Sequence, residues 1–465
     1  MNNAVPLPLN LPELRVEASG GSLVRRTILP SGVRILTEKM PGAQSATVGY
    51  WVAVGSRDEL GSVLATAAAP ALPSRYGSTH FLEHLLFKGT PTRSALDIAV
   101  AFDAVGGEHN AATSKEYTCY YAKVRDKDLP MAVDVIADML TSSLIERSEF
   151  ETERGVILEE LAEASDDPSD VAGERFFEAV LGDHPLGRPV GGSAETIREV
   201  TRDAVWQHYL ENYRPQDLVI TAAGAVDHDE LVARVTAALT AAGWNLERAA
   251  EPVARRESTG VEVHRGAPLV VVQRPNEQAS LIVGTSGFTA GDERRSALSV
   301  LGSVFGGGMS SRLFQEIREK RGLAYSVYSF APSYSDAGLF GMNAGCTPAR
   351  VGDVAELMIE QLQLLADDGI TDEELRRAHG QLSGSAALAL EDSDTRMSRL
   401  GRAEITQGEF VDLDEALRRL DRVTPRDVQE LARDIASRPF SISAVGAISE
   451  NAFDRLGATL AGASS

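Results

Sequence analysis

Cysteine is nearly absent from this chain. Its 465 residues include two, Cys119 and Cys346, so neither a disulfide framework nor a cysteine-ligated zinc cluster can form. Both read as small core residues of a protein in a reducing compartment. No run of about 18 apolar residues occurs, so no membrane-spanning helix is expected. Residues 1–12 lack a basic stretch followed by an apolar one, so no signal peptide is expected, and the cytoplasm is the expected location. Positive charge is in short supply: 45 Lys and Arg stand against 67 Asp and Glu, a net charge of −22. That balance excludes nucleic acid and anionic membrane as the main partner. Histidine is scarce as well, with eight residues, which makes a pair at metal-ligand spacing informative.

What is present suits a globular protein, with 43% hydrophobic residues in a chain too long for one ordinary core. Residues 1–22 are rich in Pro, Asn, Gly and Ser and read as a flexible arm. Residues 33–37 and 46–54 alternate as strands around a Pro41-Gly42 turn. The Ala/Pro-rich stretch near 61–76 reads as a loop or insertion. Residues 79–87 are expected to form a helix with Ser78 or Thr79 as N-cap, and residues 94–105 a second one ending at Gly106-Gly107. Residues 112–124 read as a strand, and 127–140 and 148–164 as helices. The polar run 246–260 is the candidate linker.

The two halves read as copies. Val200-Thr201-Arg202-Asp203-Ala204-Val205 is answered by Val423-Thr424-Pro425-Arg426-Asp427-Val428, and the strand and turn at 218–226 by those at 440–448. The offset is about 222 residues at both places. Shared order and spacing predict an α+β fold of two homologous domains, residues 23–245 and 261–465, each a mainly antiparallel sheet packed with helices. The copies differ in chemistry. A His-x-x-Glu-His segment occurs in the first alone, so the first would carry the site and the second a supporting role.

That segment is His80-Phe81-Leu82-Glu83-His84. Helical residues i and i+4 project from nearly one face, so His80 and His84 can offer two imidazoles to one ion. Glu83 can face a metal-bound water without being a ligand, the pattern of the inverted zincin motif. Phe81, Leu82, Leu85, Leu86 and Phe87 make the helix largely buried, and buried histidines beside a buried glutamate need a partner. Zinc suits imidazole plus carboxylate and needs a third protein ligand. The acidic helix after residue 148 supplies candidates. Glu153 and Glu160 lie two turns apart on one face, about 10 Å, and spacing leaves both open.

With these residues in view, the chain resembles the pitrilysin/insulinase zinc peptidases, and among them the short bacterial branch similar to the mitochondrial processing peptidase. The resemblance rests on Gly55-Ser56-Arg57-Asp58-Glu59, on His80 to Thr90, and on Glu153-Arg154-Gly155-Val156-Ile157-Leu158-Glu159-Glu160. It implies Glu160 as the third ligand of one Zn2+ and Glu153 as a support behind a ligand. It likens Gly107 to Thr113 to an edge strand that pairs with the substrate backbone, with Asn110 and Ala111 bordering the scissile bond and His109 a surface residue. It likens Arg318 and Tyr325 to an arginine that holds a substrate carbonyl and a tyrosine that donates to the oxyanion. Peptide hydrolysis with Glu83 as general base is the implied reaction, in a chamber of four such domains and therefore a homodimer. The rival reading is a catalytically silent peptide-binding or assembly subunit of the same fold. The Gly306–Arg312 run lacks the Gly-Lys-Ser/Thr of a phosphate loop and reads as a tight turn before a helix.

Overall fold

The computed structural model describes residues 4–61, 74–257 and 262–461. The Ala/Pro-rich stretch near 61–76 lies, apart from its ends, outside the described residues. The chain forms two compact units. One comprises the residues up to Leu161, Pro189–Arg256 and Leu388–Glu415, and the other Ala162–Arg188, Glu257–Ala387 and the residues from Ala416 on.

The first unit is built on one seven-stranded sheet: β1 Glu13–Ala18, β2 Ser22–Ile28, β3 Arg34–Lys39, β4 Ser45–Val52, β5 Glu108–Thr113, β6 Thr118–Arg125 and β7 Leu218–Gly224. Their order is β1-β2-β3-β7-β4-β6-β5. Only β3 and β7 run parallel; every other pairing is antiparallel. The second unit has β8 Leu269–Gln273, β9 Ala279–Ser286, β10 Ala324–Phe330, β11 Leu339–Cys346 and β12 Ser441–Gly446. Their order is β10-β11-β9-β12-β8, and only β8 and β12 are parallel. Read from β3 and from β8, the two sheets share one topology: the strand arriving last in each half inserts second. The internal duplication expected from the sequence is therefore present in the fold.

The helices used below are α1 Ser78–Leu86, α2 Ala95–Asp103, α3 Leu129–Ser142, α4 Arg147–Asp166, α5 Pro168–Leu181, α6 Arg202–Asn212, α7 His228–Ala241 and, from the second half, α8 Ser393–Arg402. The expected domain split at 246–260 needs correction, because each half lends one helix to the other unit. Helix α5 packs on β9 and β12, and α8 packs on β3, β4 and β7. Each receiving sheet has a glycine where the helix sits. A Cβ on Gly284 of β9 would stand 2.7 Å from the Phe176 ring, and one on Gly49 of β4 would stand 2.5 Å from Met397 Sδ. Polar contacts fix α8 too: the buried Glu38 carboxylate meets Arg396 and, at 3.2 Å, Arg399. The described part of the candidate linker also docks on the first unit, where Arg255 lies 3.0 Å from the buried Glu404.

The expected flexible arm, residues 1–22, also needs correction. Residues 13–18 are strand β1, paired in register with β2. Glu13-Leu14-Arg15-Val16-Glu17-Ala18 alternates charged and apolar residues, as a half-exposed edge strand requires. The expected strand over 112–124 is two strands, because the 114–117 turn reverses the chain and pairs Thr113 with Thr118. Cys119 and Cys346 are buried, free thiols, and burial raises the pKa of each. Among the described residues no helix is long and apolar enough to cross a membrane.

Burial also makes a testable acid sensitivity. His228 at the start of α7 is clamped between Thr27 and Thr37, each hydroxyl 2.9 Å from a ring nitrogen. Desolvation, then the nearby Arg25, push its pKa down to about 4. The folded chain thus favours neutral imidazole, while the unfolded chain binds a proton near pH 6.5. Stability is unaffected above pH 6.5 and falls as pH drops from there toward about 4. Between pH 7.5 and 5 this one residue should cost about 2 kcal/mol. Denaturant unfolding of the chelated protein at both pH values checks it: His228→Gln should remove about 2 kcal/mol of the pH dependence, with the buried His80 and His208 supplying a remainder, and an unchanged dependence would refute the assignment.

Candidate metal centre

The N-cap of helix α1 is Gly77, whose φ of 84° suits glycine, and not Ser78 or Thr79 as expected. Its first amides are met from a distance. The buried Glu59 carboxylate accepts from Gly77 N at 2.7 Å and Thr79 N at 2.8 Å. A negative charge there also complements the helix dipole. Phe81, Leu82, Leu85 and Leu86 are fully buried and hold the helix in the first core. The Phe81 ring stacks on Phe150 of α4 with centroids 4.3 Å apart. Arg154 lies over Phe150 at 4.8 Å and donates to the carbonyl of Val200 at 3.0 Å. Phe150, Glu153, Ile157 and Glu160 recur at helical spacing along α4, the first three of them buried. Locking Phe81 to Phe150 therefore turns Glu153 and Glu160 toward the two histidines.

His80, His84 and Glu160 come together, with one ligand atom from each lying within 4.8 Å of the others. The two Nε2 atoms are 3.3 Å apart. Glu160 Oε2 is 3.4 Å from His84 Nε2 and 3.9 Å from His80 Nε2. Burial and the neighbouring His84 push the His80 pKa down to about 4, against an opposing pull from Glu160, so its imidazole is neutral and free to donate a lone pair at neutral pH. Two imidazoles and a carboxylate form the donor set of an open catalytic zinc site. The Glu160 side chain is 46% exposed, which leaves the group open to solvent on one side. Glu153 takes no place in this group. Its carboxylate lies 3.0 Å from His84 Nδ1 and 2.7 Å from Lys88 Nζ, and so orients the His84 ring from behind.

Glu83 accepts a hydrogen bond from the Thr113 hydroxyl at the end of β5. Strand β5 is the last of its sheet, and no described strand pairs with its outer edge. Asn110 and Ala111 lie on it, with Asn110 Oδ1 accepting from the Ala111 amide at 2.8 Å. His109, expected on the surface, instead lies flat on Phe102 with centroids 4.3 Å apart, because its side of the strand faces α2. Arg318 and Tyr325 belong to the second unit. There the guanidinium lies 4.6 Å from the Phe314 ring centre and 5.2 Å from that of Tyr325, whose side is 75% exposed.

Sequence reasoning assigned no role to Glu59, Lys88 or Thr113. Lys88 lies just past the end of α1, close in sequence to His84, a signal that could have placed it near Glu153. The Gly55–Glu59 segment braces the site from two directions. Glu59 holds the start of α1, while Ser56 N and Arg57 N donate to the carbonyls of Ser114 and Lys115, each at 3.1 Å. Arg57 also pairs with the buried Glu116 at 2.6 Å. A Cβ on Gly55 would stand 2.3 Å from the Lys115 backbone, so only glycine permits this approach. Glu59→Ala should cost about 1–3 kcal/mol of stability by leaving buried amides without their acceptor and should weaken zinc binding. Unfolding of the apo protein and a competitive zinc titration read the two effects.

Residues 34–194 match the family described as Insulinase (Peptidase family M16), and residues 199–382 match the Peptidase M16 inactive domain. An uncharacterized zinc protease of Streptomyces coelicolor is 49% identical, covering 94% of this chain and 92% of its own. One of Bacillus subtilis is 37% identical, covering 91% and 98%. Among solved structures, a protease from Helicobacter pylori aligns with a TM-score of 0.79 at 20% identity, over 91% of this chain and 99% of its own. The M16 inactive domain from Pseudomonas fluorescens aligns at 0.78 and 19%, over 91% and 98%. Both structures share the fold, and the family matches with the relatives carry the assignment: this chain belongs to the insulinase family of peptidases, family M16.

Proposed function

We propose that the protein is a zinc-dependent endopeptidase that hydrolyses peptides or unfolded segments. The observation that carries this reading is the grouping of His80, His84 and Glu160, with Glu83 next to His84 on the same helix. These three residues would hold one Zn2+. Bound there, the ion would supply a Lewis acid for the scissile carbonyl and would lower the pKa of water. His80 and His84 serve as imidazole ligands, with Glu153 and Lys88 fixing the second ring. Glu83 takes the proton of the attacking water and later delivers it to the leaving amine. A substrate in extended form adds to the free edge of β5 beside Asn110 and Ala111, giving main-chain affinity with modest sequence demands. Tyr325 donates to the developing oxyanion and Arg318 holds a substrate carbonyl, serving the zinc of their own chain or that of a partner copy. The exposed Tyr325 hydroxyl supports that role, as does the arginine that braces its ring. Two copies would bring four domains around one chamber, a homodimer acting in the cytoplasm, in keeping with two buried free cysteines.

The test is cleavage of a quenched peptide library by the purified protein, with chelator and with zinc restored. Cleavage abolished by chelation and recovered with about one zinc per chain is the expected result. A zinc-loaded chain that cuts nothing would point to a peptide-binding or assembly subunit of the same fold.

A further inference from the structure

We propose that Thr113 is a positioning residue for Glu83, tying the base to the strand on which the substrate is read. The proposal rests on the zinc peptidase reading above. Side chains of β5 alternate, with Glu108, Asn110 and Ala112 exposed and His109, Ala111 and Thr113 half-buried on the opposite face. That inner face is seated at both ends, by the His109 ring on Phe102 and by the Thr113 hydroxyl donating to Oε2 of Glu83. The backbone of Thr113 is held independently of Glu83. It pairs with Thr118, whose own hydroxyl donates to the Val54 carbonyl at 2.9 Å. The next residues, Ser114 and Lys115, receive the Ser56 and Arg57 amides. The backbone that carries the hydroxyl is thus fixed before the hydroxyl meets the carboxylate.

The terminal torsion of a glutamate is broad and roughly two-fold, so an unattended carboxylate samples many orientations. A donor fixed on Oε2 restricts that torsion and leaves Oε1 to face the attacking water. Such restriction raises the fraction of encounters in line for proton transfer without adding a contact to substrate. Thr113 projects from the half-buried face of β5, whereas a peptide joining the free edge would pair with backbone groups, so its loss should act on kcat and spare KM.

The experiment measures kcat, KM and zinc content for Thr113→Val, Thr113→Ser and Glu83→Gln. Thr113→Val keeps the branched shape and removes the donor. It should lower kcat about 10- to 100-fold, the range for one hydrogen bond to a charged group, with KM and zinc content unchanged. Thr113→Ser should recover kcat to within about threefold of the wild type. Thr113→Ala serves if the valine variant is unstable, with the same expectation. The proposal is overturned if Thr113→Val keeps kcat within about threefold of wild type, if the serine variant is as impaired as the valine one, or if the loss appears in KM or in zinc. In those cases Glu83→Gln remains inactive and the base assignment stands. A Glu83→Gln protein as active as the wild type would instead overturn the base assignment, and this proposal with it.

Discussion

Glu83→Gln should leave zinc content unchanged and lower kcat for peptide cleavage by about 10²- to 10⁴-fold. The amide is nearly isosteric and can still accept from Thr113, so the packing around α1 is kept. What it cannot do is take a proton at neutral pH and return it to the leaving nitrogen. Because Glu83 does not belong to the group formed by His80, His84 and Glu160, the ion would remain bound. Steady-state kinetics with metal analysis on the same preparation decides the matter. Loss of zinc in the variant would make Glu83 a ligand, and retained activity would remove it from the mechanism.

Glu160→Gln should have the second large effect, the loss of zinc from the site at micromolar free zinc and of activity with it. Two imidazoles alone hold zinc weakly, and the carboxylate supplies both the third donor atom and a negative charge. Glu153→Gln provides the contrast. Its carbonyl can still accept from His84 Nδ1, while the ion pair with Lys88 is lost. A weakening of about 10- to 100-fold in zinc affinity is expected there, as for other groups that orient a ligand. Competitive titration with a chromophoric chelator ranks the two variants. The opposite ranking would exchange the roles assigned to these glutamates.

That ranking marks where sequence reading stopped. The i, i+4 histidines and the adjacent glutamate were legible because helical geometry alone sets their relation. The third ligand was not legible from spacing, since Glu153 and Glu160 share one face of one helix and spacing is blind to which turn lies opposite the histidines; only the family resemblance pointed to Glu160. The choice depends on Phe81 stacking on Phe150, a contact across the tertiary fold. The brace formed by Gly55 to Glu59 was legible as a familiar string, yet its work is done on residues 18 to 59 positions away. Likewise, the apolar face of α5 identifies it as a packed helix and is silent about which sheet it covers. The duplication was legible because strand, turn and cap residues recur at one offset. The helix exchange was not, since both halves carry equivalent surfaces. Strand β1 was missed because charged residues alternate along an edge strand much as they do along a solvated arm.

The most direct test is the metal itself. Zinc content of the purified wild-type chain, read together with its X-ray absorption spectrum, should give about one zinc per chain bound by two imidazole nitrogens and a carboxylate oxygen at about 2.0–2.2 Å. Absence of bound zinc at micromolar free zinc, or a site that persists when His80 and His84 are both replaced by alanine, would contradict the account.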